Sequence, residues 1–267
     1  MEVHDLGDGE PEVAVVGAIH GDEPCGARAV ERLLDADLDP ERPVRLIVAN
    51  EEALDAGERY LDADLNRAFP GNRDAEAHEV RLAADLLDAL EGCTTLAIHS
   101  TQSYAEPFAV IDSMDEVTRA VAPHLPVDAV IQTDAFTEGR LIEHPHTLEV
   151  EAGLQGSEAA ADNAYWLARA FLAATGAVSA PGADDVLDVG GREDVPVFRL
   201  RERIPKPEAE AYEVFARNFE RVESGERFAA ADGEPLLADE PFYPVLLSPN
   251  GYRDQFGYVA DRVGALE

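Results

Sequence analysis

The sequence predicts an α/β protein, a mixed-sheet α/β/α sandwich followed by a small β-rich C-terminal domain. Three observations carry this expectation. Short apolar runs alternate with helical patterns through the first two thirds of the chain. Alternation of that kind stacks helices on the faces of a largely parallel or mixed sheet. Near Gly176 the pattern changes, and short strand candidates broken by turn signals take over.

The elements follow in order. Val13–Ala18 is an apolar strand, and Cys25–Ala36 a helix. Val44–Ala49 is a β-branched strand, and Asp74–Leu90 is a helix with apolar Val80, Leu82, Leu86, Leu87 and Leu90. Thr94–Ile98 is a strand that ends at His99, and Phe108–Ile111 is another. Val117–Val121 is a short helix, Ala129–Gln132 and Thr147–Val150 are strands, and Ser157–Thr175 is a long amphipathic helix. The stretch Val178 to Val189 is rich in Gly, Ala, Asp and Pro, as linkers are. Beyond it Val195–Leu200, Tyr212–Phe219, Arg227–Ala230, Tyr243–Leu247 and Tyr258–Ala260 are strand candidates, with turns at Ser224-Gly225 and Asp232-Gly233. The expected domains are therefore 1–177, carrying the chemistry, and 190–267, rich in β-structure. Glu51 to Arg73 is a long irregular segment, and loops of that length inside a compact domain are usually functional or disordered.

The turn between the first strand and the first helix holds His20 and Glu23. Ligands gather at that end of the strands in open α/β sheets. Imidazole and carboxylate both bind zinc, and a catalytic zinc site needs three protein ligands and one open position. His99 supplies the third, because it too closes an apolar strand. The other five histidines fit less well: His4 lies in a polar terminus, His78 in the polar part of a helix, His124 between prolines, and His144 and His146 beside Pro145. A water-activating metal site also needs a base. Thr147 to Gly153 places Glu149 and Glu151 at alternate strand positions, so both point to one face. Glu151 is nearer the C-terminal edge and is the better base. Glu149 is either a supporting group or a solvated edge residue.

These residues resemble the aspartoacylase/succinylglutamate desuccinylase family of zinc carboxypeptidase-like hydrolases. The resemblance rests on His20-Gly21-Asp22-Glu23-Pro24, on Arg59-Tyr60-Leu61-Asp62-Ala63-Asp64-Leu65-Asn66-Arg67, on Ile98-His99-Ser100 and on Glu151-Ala152-Gly153. It covers about the first 155 residues well. The C-terminal part is similar more loosely, through Tyr243-Pro244-Val245-Leu246-Leu247 followed by Tyr252. The resemblance implies one zinc ion per chain, held by His20, Glu23 and His99. It implies that Glu151 takes a proton from a zinc-bound water and later gives it to the leaving amine, and that Arg59 stabilises the oxyanion. Asn66 and Arg67 would hold a substrate carboxylate, Arg67 through a bidentate fork. Asp64 would orient neighbouring groups such as a zinc-ligand imidazole. Arg140 and Tyr252 are the candidates for the family's further substrate-binding arginine and C-terminal tyrosine.

Composition narrows the partners. The 267 residues carry 55 acidic and 21 basic side chains, for a net charge of -34, and Lys206 is the only lysine. An acidic, lysine-poor chain is what adaptation to high salt produces, because salt screens the self-repulsion. Such a surface is a poor partner for nucleic acid or anionic membrane. The acidic N-terminus has no apolar core and no run approaches a membrane span, so a cytoplasmic enzyme is expected. Two cysteines make no disulfide framework. Cys25, at a helix start, is a small buried hydrophobe rather than a nucleophile. The expected activity is zinc-dependent hydrolysis of the amide bond of a small anionic N-acyl amino acid. The alternatives are a metallo-carboxypeptidase acting on short peptides and a non-catalytic zinc-dependent binding module. Oligomeric state and the identities of the acyl group and amino acid are left open.

Overall fold

A computed structural model describes residues 1–36, 38–134, 136, 139–179 and 194–266. The chain runs β1 (Glu2–Leu6), β2 (Val13–Gly17), α1 (Cys25–Asp35), β3 (Val44–Val48), α2 (Glu51–Ala56), α3 (His78–Ala89), β4 (Thr94–Thr101), β5 (Phe108–Ile111), α4 (Glu116–Val121) and β6 (Val130–Gln132). It continues through β7 (Thr147–Leu154), α5 (Glu158–Ala174), β8 (Pro196–Pro205), β9 (Tyr212–Val214), β10 (Arg227–Ala231), β11 (Glu234–Leu237), β12 (Tyr243–Val245) and β13 (Gln255–Ala265). Ten strands form one mixed sheet in the order β1-β3-β2-β4-β7-β5-β6-β8-β13-β12. The strands β9, β10 and β11 make a separate antiparallel sheet. The mixed α/β architecture expected from the alternation is the one found.

Alternation along each strand sorts the two faces. On β2, Val13 and Val15 pack with α1 and α5, whereas Ala14 and Val16 pack with Leu82, Ala83 and Leu86 of α3. On β7, Leu148, Val150 and Ala152 join the α1/α5 core. Glu149 and Glu151 therefore lie on the opposite face. Helix α3 covers that face only at its β3-β2-β4 side. Farther along, Phe108, Val110, Ile131 and Phe198 are covered by Phe219, Tyr243, Leu246 and Tyr252 from the C-terminal segment. The acids of β7 sit between the two covers, where a cleft is left open.

Several elements depart from expectation. The polar terminus holding His4 is strand β1, paired antiparallel with β3 from Glu2↔Val48 to Leu6↔Val44. An edge strand of this kind needs little apolar sequence, which is why its pattern is faint. Helix α2 lies inside the segment expected to be irregular; the Asn50 side chain accepts from Ala53 N and Gly57 closes it in a left-handed conformation. Helix α3 begins at His78, not Asp74. The strands β8, β13 and β12 carry the main sheet on past β6, with β13 and β8 paired from Gln255↔Pro205 to Ala265↔Pro196. The expected linker lies outside the described residues from 180 onward. Among the described residues no helix is long and apolar enough to cross a membrane.

Candidate active site

The turn from β2 into α1 is built by close backbone approach. A Cβ on Gly17 would come within 2.3 Å of the Gly26 backbone, and one on Gly21 within 2.1 Å of the Ala53 backbone. Only glycine fits at either place. Ala18 holds a left-handed φ of 53°, a conformation that costs free energy for a residue with a side chain and recurs at functional sites. This tight turn delivers His20 and Glu23 together, both buried.

Their partner comes from β4, which lies next to β2 in the sheet. His20 Nδ1 is 2.8 Å from Glu23 Oε1, and His99 Nδ1 is 3.0 Å from Glu23 Oε2. The two imidazoles are 5.1 Å apart between ring centres. One donor atom from each of His20, Glu23 and His99 lies within 4.8 Å of the others, so the three could hold a metal ion. The opposite nitrogen of His20 is 3.1 Å from Asp64 Oδ1, which fixes which edge of the ring faces Glu23. Burial opposes charge on His20, but Glu23 and Asp64 outweigh it and raise its pKa to about 9. Glu23, buried yet ringed by both imidazoles, is held well below the usual carboxylate range.

The base candidate is registered against a ligand, since Glu151 of β7 pairs with His99 of β4. Burial, and then the nearby charge of Glu23, push the Glu151 carboxyl up to about 8. Its Oε2 is buried without a hydrogen-bond partner. Glu149, one pleat back, is occupied: it accepts from Asn66 Nδ2 at 3.2 Å and lies 3.9 Å from His99 Nε2. It is therefore the supporting group of the two alternatives and not a solvated edge residue.

The loop from Arg59 to Arg67 is folded around one buried acid. Glu79, in the first turn of α3, accepts from the backbone N–H groups of Leu61 (2.6 Å), Asp62 (3.0 Å) and Ala63 (3.0 Å), and from Asn50 Nδ2 (3.3 Å). Asp62 in return accepts from His78 N at 2.8 Å and closes the N-terminus of α3. The loop so held points Arg59 at the ligands. Its guanidinium donates to Glu23 at 2.9 Å and to Asp64 at 3.3 Å. Asn66 is buried, with its Oδ1 accepting from Leu141 N at 2.9 Å. Both ends of its amide are thus bonded to protein, although it still lines the cleft.

Arg67 and Arg140 complete the opposite end. They are close enough that Arg140 adds to burial in lowering the pKa of Arg67. Their nearest acids are already engaged, Asp64 with His20 and Arg59, and Glu149 with Asn66. Tyr252 and Tyr258 stand beside them, 6.1 Å apart between ring centres, and Arg140 donates to Tyr258. Burial, then Tyr258, push the Tyr252 hydroxyl above its ordinary range. The loop bearing Tyr252 is tied down by the sole lysine: Lys206 Nζ donates to Pro249 O at 2.8 Å and to Tyr252 O at 2.5 Å. His20, Glu23, His99, Arg59, Asn66, Arg67, Arg140, Glu151 and Tyr252 all line one cleft.

A family model described as the succinylglutamate desuccinylase/aspartoacylase catalytic domain matches residues 9–122, which include the metal-ligand cluster and the Arg59 loop. Over those residues the chain is similar to this family. A probable aspartoacylase from Parasynechococcus marenigrum is 32% identical over 164 residues, 53% of this chain and 53% of that protein. A succinylglutamate desuccinylase from Pseudomonas paraeruginosa is 32% identical over 101 residues, 32% of this chain and 30% of that protein. The matches thus span about half, or less, of those relatives' own lengths. Among solved structures, a product-bound ectoine utilization protein from Ruegeria pomeroyi superposes with a TM-score of 0.77 at 18% identity, covering 98% of this chain and 88% of that one. Murine aminoacylase 3 superposes with a TM-score of 0.72 at 19% identity, covering 97% of this chain and 98% of that one. The fold shared with these two structures therefore extends over the C-terminal segment, where the sequence resemblance is loose.

Other lining residues escaped the sequence. Tyr258 appears there only as part of a strand candidate, and Thr133, Gln155 and Ser248 gave no signal. Glu79 looks like any acid in a first helical turn; only the three backbone donors around it mark its role. Cys25 is buried, with its thiol pushed up to about 12 by burial and then by Glu23. It is the small buried hydrophobe expected.

Proposed function

We propose that the protein is a zinc-dependent deacylase that cleaves the amide bond of a small anionic N-acyl amino acid. The observation that carries this reading is the meeting, in one cleft, of three converging donors, a carboxyl with an unpartnered oxygen and a pair of arginines. Two imidazoles and a carboxylate are a donor set that zinc prefers, and three protein donors leave a position open. The convergence of both Nδ1 atoms on one carboxylate fits a single small cation. When bound, zinc polarises a carbonyl and lowers the pKa of water.

The protein's own groups do the rest. Glu151 takes a proton from the attacking water and passes it to the leaving amine, a role suited to a carboxyl raised toward neutral pH. Arg59 brings positive charge against the ligands, where negative charge develops on the carbonyl oxygen. Arg67, Arg140 and Tyr252 hold the substrate carboxylate, and Asn66 fixes the backbone at Leu141, next to Arg140. Asp64 orients His20. Two arginines at one end of a cleft in a chain of net charge -34 form a local inversion of charge that selects anions. A Glu151→Gln variant tests the reading. It should retain stoichiometric zinc and lose hydrolysis of N-acyl amino acids by about 1000-fold or more; undiminished turnover would remove Glu151 from the chemistry.

A further inference from the structure

Away from the His20–Glu23–His99 cluster, the cleft carries arginines at one end only. Among its described lining residues the cations are Arg59, Arg67 and Arg140. Arg59 is tied to Glu23 and Asp64, so Arg67 and Arg140 are left to meet substrate charge. These two, with Tyr252 and Tyr258, also wall an adjoining outer hollow. Thr101, the last residue of β4, and Gln102, Ser103 and Gln155, which follow β4 and β7, line the cleft but not that hollow. They form a neutral end that is bonded within itself. Gln155 Nε2 donates to Asp22 O at 2.8 Å, Gln102 Nε2 donates to Gln155 Oε1 at 3.1 Å, and the Thr101 and Ser103 hydroxyls are 2.9 Å apart. Glu23 follows Asp22, the acceptor for Gln155, and Glu151, on β7, precedes Gln155; both glutamates line the cleft.

An N-acyl amino acid always carries a carboxylate on its amino-acid part, and only the arginine end can receive it. With the amide at the His20–Glu23–His99 cluster, the acyl group points to the neutral end. We infer that this site takes an uncharged, acetyl-class acyl group and discriminates against acyl groups that end in a second carboxylate. A second carboxylate there would lose water without gaining a cation. The inference deepens the deacylase reading and rests on it.

The test uses pairs of substrates that share an amino acid, such as N-acetyl- and N-succinyl-glutamate and their aspartate and leucine counterparts, with the zinc-loaded enzyme. The acetyl member should exceed its succinyl partner in kcat/KM by about 100-fold in every pair that turns over. Calorimetric binding to the Glu151→Gln variant should show the same order without turnover. Equal or better use of the succinyl members overturns the inference and leaves the deacylase reading standing. Failure to cleave any pair, with peptides cleaved instead, overturns both. Gln102→Arg supplies the missing cation and should shift the succinyl-to-acetyl ratio upward by about tenfold; an unchanged ratio contradicts the placement of the acyl group at this end.

Discussion

The metal-ligand end of the cleft and its arginine end are built differently. His20, Glu23, His99 and Glu151 stand at or beside the ends of three adjacent strands, β2, β4 and β7, whose register fixes their spacing. Arg67, Arg140 and Tyr252 come from loops, and Tyr252 belongs to a segment held by a lysine and two backbone carbonyls. Sheet register leaves little freedom, and loops leave more. The metal-ligand end is therefore suited to chemistry that tolerates no displacement, and the arginine end to recognition that can be retuned by local change. Glu79 is the exception that joins them. It is fixed on α3 and holds by its backbone the loop that serves both ends.

The contrast breaks first at His99. A His99→Ala variant should lose bound zinc and reduce kcat by about 1000-fold or more, since the lost polarisation is worth several kcal/mol. Arg140→Gln should leave zinc content and kcat nearly unchanged and raise KM for N-acyl amino acids by roughly 10- to 100-fold, the loss of one charge-assisted contact. If Arg140→Gln lowered zinc content as well, the two ends would not be separable.

Acid–base behaviour sharpens the same comparison. The pKa of His20 is raised from 6.5 to about 9 in the metal-free protein, against burial, by Glu23 and Asp64. A raised folded-state pKa contributes stability that is complete below pH 6.5 and is lost as pH climbs through about 9. On the proposed binding through His20, zinc would take the place of that proton, so the gap in Tm between zinc-loaded and chelator-treated protein should widen from pH 6.5 toward 9. A gap that stays constant or narrows would mean that zinc does not bind through His20. The smallest effect belongs to the lysine clamp. Lys206→Met should loosen the Tyr252 loop, raise KM by less than about tenfold and leave zinc content and kcat alone. An unchanged KM would mean that the loop holds its place without the clamp.

The two ends also differed in how legible they were. The ligands and Glu151 terminate or alternate along apolar strands, and strand period is a local property that a linear pattern displays. Arg140 and Tyr252 carried no such local mark. They were placed by resemblance, and the fold brings both into the cleft with Arg67. Tyr258, Glu79 and Lys206 matter through partners far away in sequence, the nearest being Arg140, the backbone of Leu61 to Ala63 and the Pro249 carbonyl. No local pattern encodes such pairings. The same reason hid β1, whose half-exposed edge needs little apolar sequence, and the joining of β8, β13 and β12 to the main sheet, which only pairing partners reveal. Helix α2 was legible in principle from Asn50 and Gly57, but the charge of the surrounding segment masked it.

The most direct test of the account is the position of the metal. Crystals of the protein grown with zinc and measured at the zinc absorption edge should show one anomalous peak per chain. It should lie about 2.0–2.2 Å from His20 Nδ1, His99 Nδ1 and a Glu23 carboxylate oxygen, with Glu151 outside bonding distance. A peak elsewhere, or none at this cluster while His20 and His99 stay hydrogen-bonded to Glu23, would contradict it.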